Sequence, residues 1–299
     1  MDPIRNGKLT SSGMSAIMPF GKRLLTDSEK QARKDSGSKS KAEYTEDKNT
    51  FSTGGFTYIR SKLRERKLKR SIENNDSGRA ANWGKFVELW LSNERPDIIG
   101  MNYTMSPNKT IAHPKYADIW CGSKDCKNNN TTAVGDLKCP YTLASYFDFY
   151  DLWVAGKTLG FREVLINGYT DEFGQKVVHP SGYDYYVQIK SNCHIEGTSK
   201  GELIIYVPTY DELSEIMVYA ANGDHGNIVP CTFISWALDG DLPYIPKESD
   251  LPNKLVFEFD IPQEDLYLLE SRVQLAQKYF EPKQPITIHD AGVTVHDQI

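Results

Sequence analysis

The chain reads as an α/β protein in which a small mixed central sheet is flanked by helices, with further helical pieces at the ends. Three observations lead there. Apolar residues recur at helical spacing in several long stretches. Short apolar runs bounded by turn residues fall between them. The resulting order of helix, helix, hairpin, helix, helix, strand interleaves the two kinds of element as layered domains do. With 299 residues, 39% hydrophobic and 11% aromatic, the chain can bury a sizeable core.

Each element has a local reason. "LTSSGMSAIM" starts with hydroxyl residues and continues with Met14, Ile17 and Met18, so a short helix capped by Thr10, Ser11 or Ser12 is expected. Residues 26–50 are polar and mixed in charge, which predicts a mobile surface loop, with a solvated helix as the alternative. From Gly55 to Ile72 a helix is expected, with Phe56, Ile59 and Leu63 on one stripe and Arg60, Lys62, Arg64, Arg66, Lys67, Lys69 and Arg70 around it. "GRAANWGKFVELWLSN" predicts a second helix with Trp83, Phe86, Val87 and Trp90 inward. "TIAHPKYADIWCGS" and "TTAVGDLKCP", separated by the turn-rich "SKDCKNNN", predict a β-hairpin with a long loop. Pro140 suits the first turn of the next helix, "YTLASYFDFYDLWV". Residues 183–197 predict a helix ending at Gly197, followed by strands "GELIIYVP" and "KLVFEFDIP", the amphipathic helix "QEDLYLLESRVQLAQKYF" and a tail. One domain over 1–299 is expected, with its core at about 5–230 and a strand–helix extension over 231–299.

The net charge of −5 is unevenly spread: residues 1–90 hold 19 Lys and Arg against 11 Asp and Glu, while residues 91–299 hold 16 against 29. A basic front on an acidic body is compatible with gripping a polyanion on one side. No apolar leader or membrane-length run is apparent, so a cytoplasmic location is expected. The five cysteines form no paired metal-ligand spacing and read as thiols of a reducing compartment.

Four charged residues sit where burial is expected: Glu88 on the apolar helix, Asp118 in the first hairpin strand, and Asp136 with Lys138 in the second. Residues i and i+2 of a strand share a face, so Asp136 and Lys138 must lie together. If the two strands pair, Asp118 and Asp136 face each other at about 5 Å. Such acids repel unless a cation intervenes, and oxygen ligands favour Mg²⁺ or Mn²⁺ over zinc. Taken singly, D-x-K is an ordinary surface ion pair and Glu88 a helix-edge carboxylate. The order of acid on helix, acid on strand and D-x-K on the next strand is more specific.

That order is the layout of the PD-(D/E)XK nucleases, and the chain resembles their lambda-exonuclease-like, YqaJ-type viral recombinase branch, the phage alkaline exonucleases. "LKCP" followed by an aromatic and Thr, "WGKFVE", "YYVQIKSNCHI" with Tyr185 and Gln188, and "TSSGMSAIM" after Arg5 carry the resemblance over roughly residues 5–205, apart from 26–50. Departures are "YADIW" where Pro-Asp-Gly is usual, Asp136 where Glu is commoner, and the long "GSKDCKNNNTT".

The resemblance implies a restriction-endonuclease-like core. It implies Glu88, Asp118 and Asp136 as metal ligands with the Leu137 carbonyl, Lys138 activating water, Gln188 supporting it and Tyr185 nearby. Arg5, Ser11 and Ser12 would hold a 5′-phosphate, and Arg60, Arg64 and Lys67 would follow the DNA backbone. The implied activity is a two-ion Mg²⁺-dependent 5′-to-3′ exonuclease on linear duplex DNA, with Mn²⁺ able to substitute, that leaves 3′ single strands for recombination. A trimeric homo-oligomer and a single-strand annealing partner are implied likewise. The rivals are an endonuclease of the same fold and a DNA-binding relative without catalysis.

Overall fold

The computed structural model describes residues 3–37, 42–72, 78–106, 109–223, 229–238 and 240–281. The expected tail lies outside the described residues. The strands are β1 (Leu9–Thr10), β2 (Phe20–Leu24), β3 (Tyr44–Phe51), β4 (Tyr103–Met105), β5 (Ile111–Ala112), β6 (Trp120–Gly122), β7 (Cys126–Asn128), β8 (Val134–Lys138), β9 (Tyr169–Thr170), β10 (Lys176–Val177), β11 (Lys200–Tyr206) and β12 (Lys254–Asp260). The helices are α1 (Asp27–Asp35), α2 (Thr53–Leu68), α3 (Arg79–Asn93), α4 (Pro96–Ile99), α5 (Leu143–Leu159), α6 (Phe161–Asn167), α7 (Gly182–Glu196), α8 (Tyr210–Asn222), α9 (Thr232–Ser235) and α10 (Gln263–Phe280), with 3-10 turns over Pro3–Arg5 and Ser11–Ile17.

The central sheet is mixed and runs β12-β11-β8-β7-β4. β8 and β11 are parallel, with Asp136 beside Leu203 and Lys138 beside Ile205, and the other neighbours are antiparallel. Strand alternation sorts the side chains of β11 into two cores. Leu203 and Ile205 join Val134, Leu255 and Phe257 beneath α5, α7 and α10, through Phe149, Leu152, Val187, Ile189 and Leu269. Ile204 and Tyr206 join Leu137 beneath α3 and α8, through Trp83, Phe86, Trp90, Leu213 and Ile216. The sheet is therefore the middle of three layers. A Cβ at Gly135 would come within 2.4 Å of the Cys126 sulfur, so glycine there permits the close approach of β7 and β8.

Several expectations are met. α7 ends with Gly197 in the left-handed region at φ 70°, where glycine carries no steric penalty. α3 buries the four predicted apolar positions and ties itself to the end of β8 through the Trp83 indole N–H, which donates to the Pro140 carbonyl at 3.0 Å. Three expectations are corrected. Residues 26–50 are not simply a loop: α1 is closed by a Thr26–Glu29 capping box, and β3 pairs antiparallel with β2. α5 begins after Pro140, at Leu143, because Thr142 caps it by accepting from the Ser145 N–H at 3.1 Å. The two runs read as one hairpin belong to different sheets: β6 pairs with β1 and β5, whereas β8 pairs with β7 and β11.

α10 fastens the amino-terminal ribbon. Arg272, 1% exposed, donates to the carbonyls of Ile17, Lys48, Pro19 and Thr50 at 2.8–3.0 Å and lies 4.2 Å from the Phe51 ring centroid. All five cysteines are buried and none forms a disulfide. Among the described residues no helix is long and apolar enough to cross a membrane.

Candidate active site

β8 carries the anchor of the site. Asp136 is fully buried, and its Oδ2 stands 2.6 Å from Lys138 Nζ, whose side chain keeps 27% of its surface exposed. Lys138 rises above Leu137 into a cleft of about 360 Å³, lined also by Gly84, Lys85, Glu88, Tyr141, Phe149 and Tyr185. α7 closes one side. Gln188 donates from Nε2 to Asp136 Oδ1 at 2.5 Å, and the Tyr185 ring centroid lies 5.4 Å from Lys138 Nζ. The strand and helix thus fix both ends of the Asp136 carboxylate.

The third acid comes from the polar stretch before β7. Asp125 donates its N–H to the Gly135 carbonyl at 3.1 Å and accepts the Leu137 N–H on Oδ2 at 2.8 Å. This places the half-buried Asp125 within hydrogen-bonding reach of both Glu88 and Asp136. Asp118 does not join them. It is exposed in the turn before β6, and its carbonyl accepts from Arg66. The expectation of an Asp118–Asp136 pair fails because Asp118 lies in a turn and the strand it leads into belongs to a different sheet from β8; Asp125 stands beside Asp136 instead. Sequence reading passed over Asp125 as part of a turn. The stretch that follows Asp125 is a short strand, with Cys126 and Asn128 buried on either side of Lys127.

Crowding three carboxyls shows in their protonation. Burial pushes Asp136 up to about 7 against the pull of Lys138, with Asp125 adding to the rise. Burial and then the Glu88 charge push Asp125 to about 7 as well. Burial also raises Glu88, opposed by Lys138. For Lys138 burial works downward, but Asp136, Asp125 and Glu88 outweigh it, so the ammonium is held more firmly than usual.

Whether this set suits a divalent cation can be judged from its donors. Among the described residues no three acidic, histidine or cysteine side chains stand in ready coordination geometry. With pKa values raised to about 7, Asp125 and Asp136 hold protons near neutral pH. Asp136 Oδ2 is buried, with the Lys138 ammonium 2.6 Å away. Three carboxylates beside a backbone carbonyl form a hard oxygen set, which fits Mg²⁺ or Mn²⁺ once those protons leave.

The remaining expected residues lie elsewhere. Ser11 is 3% exposed, and its hydroxyl bonds Ser191 Oγ at 2.8 Å, so it is committed to the interior; Ser12 is exposed, and Arg5 is half-buried at the end of the first turn. Ser11 and Ser12 open a seven-residue 3-10 helix, and Thr10 gives it no side-chain cap. Arg60, Arg64 and Lys67 are exposed at helical spacing on α2, opposite the inward Ile59. Their neighbours Lys62 and Arg66 turn inward, to Glu65 at 3.2 Å and to the Gly7 carbonyl at 2.8 Å.

No family model and no curated protein matches the chain. Among solved structures it is similar to the alkaline exonuclease LHK-Exo from Laribacter hongkongensis, at 12% identity over 92% of this chain and 88% of that one, with a TM-score of 0.46. LHK-Exo in complex with dAMP gives 13% identity over 93% and 89%, with a TM-score of 0.47. A phage related exonuclease from Haemophilus somnus 129PT gives 12% over 91% and 93%, with a TM-score of 0.45. At such identities the likeness does not extend to the role of any residue.

Proposed function

We propose that the chain is a metal-dependent exonuclease that enters linear duplex DNA at a 5′-phosphorylated end and degrades one strand 5′ to 3′. The observation that carries this reading is the meeting of Glu88, Asp125 and Asp136 beside the Lys138 ammonium, with Glu88 and Lys138 lining an open cleft. A fold gains nothing in stability by collecting three acids at one buried spot, so the cluster points to chemistry.

Glu88, Asp125, Asp136 and the Leu137 carbonyl would hold one or two Mg²⁺ or Mn²⁺ ions. Bound there, the ions supply charge stabilisation at the phosphate and the leaving 3′-oxygen. Lys138 does the rest from its own position. Fixed by Asp136 and flanked by Tyr185, it points its ammonium into the cleft, where it orients the attacking water and offsets charge growing on the phosphate. Gln188 holds Asp136 in the rotamer that keeps Lys138 forward. Ser12 and Arg5 are the groups proposed for the 5′-phosphate. A ring of identical subunits and a strand-annealing partner in the host cytoplasm complete the proposal.

The test uses linear duplex labelled at either end, with and without 5′-phosphate, and a closed circle, each in Mg²⁺ and in chelator. Release of the 5′ label first, only with Mg²⁺ and only from linear DNA, is expected, and Lys138→Met abolishes it. Cleavage of the circle makes the protein an endonuclease of the same fold. Binding without cleavage in Mg²⁺ and Mn²⁺ makes it a non-catalytic DNA-binding protein.

A further inference from the structure

The rim of the cleft carries an aromatic surface that the hydrolytic groups do not use. Tyr141, one wall of the cleft, meets the Phe233 ring edge-on at 6.3 Å, and the Arg79 guanidinium lies 5.8 Å from that same ring. Phe233 belongs to α9, a single turn anchored by the fully buried Ile234. Trp236 caps this turn three residues after Phe233, so both lie on the same side of it.

Trp236 is unlike the other tryptophans. Trp83, Trp90 and Trp120 are at most 1% exposed, and Trp153 is half-buried with its indole N–H donated to the Val256 carbonyl at 3.2 Å. Trp236 is 84% exposed, with Leu238 beside it at 76%. One exposed apolar residue is ordinary. An exposed indole on the same turn as a ring that faces a guanidinium and meets the wall of an ammonium-bearing cleft is a more specific arrangement. Among the described residues lining the cleft, Glu88 is the one acid, against Lys85 and Lys138.

We propose that Trp236 is a stacking platform for an unpaired nucleobase, with Arg79 and Lys85 taking the sugar-phosphate that leads from it toward Lys138. A base offers a flat apolar face and a polyanionic backbone together, which matches an indole set among cations. The proposal rests on reading the cleft as a nuclease site, and it names the single-stranded part of the substrate as what the rim holds.

The experiment measures binding of the full chain to a labelled 20-mer oligothymidylate, and to a blunt duplex of the same length, by fluorescence anisotropy in chelator. Trp236→Ala is expected to weaken the single strand by about 5- to 100-fold, with duplex affinity and melting temperature unchanged. Trp236→Phe is expected to retain most of the affinity while losing the quenching of tryptophan emission that the oligomer causes in the parent. Unchanged single-strand affinity in Trp236→Ala overturns the proposal and leaves the indole to a protein contact. Equal loss for single strand and duplex overturns it too. Lys138→Met on linear duplex in Mg²⁺ separates the two readings: if it cleaves like the parent, the nuclease assignment falls, while the Trp236 result stands on binding alone.

Discussion

Replacing Asp125 with Asn removes one charge from the three-acid cluster and keeps an oxygen to accept the Leu137 N–H, now bonded at 2.8 Å. In the metal-free protein this carboxyl is pushed from 3.8 to about 7. At about 1.4 kcal/mol per pK unit, ionising it at pH 8 costs up to about 4 kcal/mol. Asp125 is half-buried and its shift is coupled to those of Glu88 and Asp136, so a gain of about 1–2 kcal/mol is expected, a few °C in melting temperature. Hydrolysis in Mg²⁺ should fall by at least about 10²-fold, because the cation loses a ligand. Thermal melts in chelator at pH 8 and rates on linear duplex read the two effects. Asp118→Asn, on an exposed side chain, should stay within about 0.5 kcal/mol of the parent and keep its rate. A dead Asp118→Asn beside an active Asp125→Asn would refute the assignment of the third acid.

Other outcomes follow from the same geometry. Arg272→Leu should cost about 3–5 kcal/mol by removing a buried guanidinium and the donor of one buried and three partly buried carbonyl bonds; Arg272→Lys should recover only part, since an ammonium lacks the planar fork, and chemical denaturation measures both. The metal-free protein should melt higher at pH 6.5 than at pH 8. Asp125 and Asp136 stand at about 7 when folded, against about 4 when unfolded. The folded state therefore binds more protons in that window, and stability falls as pH rises through it. Below that window His113, lowered to about 4 by burial and by His194, acts in the opposite sense. Neutralising Arg60, Arg64 and Lys67 to Gln should reduce the slope of log affinity for duplex against log salt by up to about 3 units, as titrations at several salt concentrations would show.

The helices were legible because their burial follows a period of 3.6. Trp83, Phe86, Val87 and Trp90 announce α3, and Gly197 announces the end of α7. The D-x-K pair was legible because strand geometry dictates it. β7 was not, because its inward positions are Cys126 and Asn128, and an asparagine is buried there only by its bonds. Asn128 accepts from Asn102 at 2.9 Å and donates to Glu202 at 3.0 Å, partners far away in sequence. β3 escaped for a related reason. Most of its side chains are partly or fully exposed, and its carbonyls are held by Arg272, more than two hundred positions later.

That last separation bears on how the chain is made. The Thr50 carbonyl waits for a guanidinium 222 positions downstream. At a synthesis rate of about 5–20 residues per second, the ribbon emerges at least about ten seconds before its clasp. During that interval it is a two-stranded piece with open edges, the kind of nascent segment that chaperones shelter.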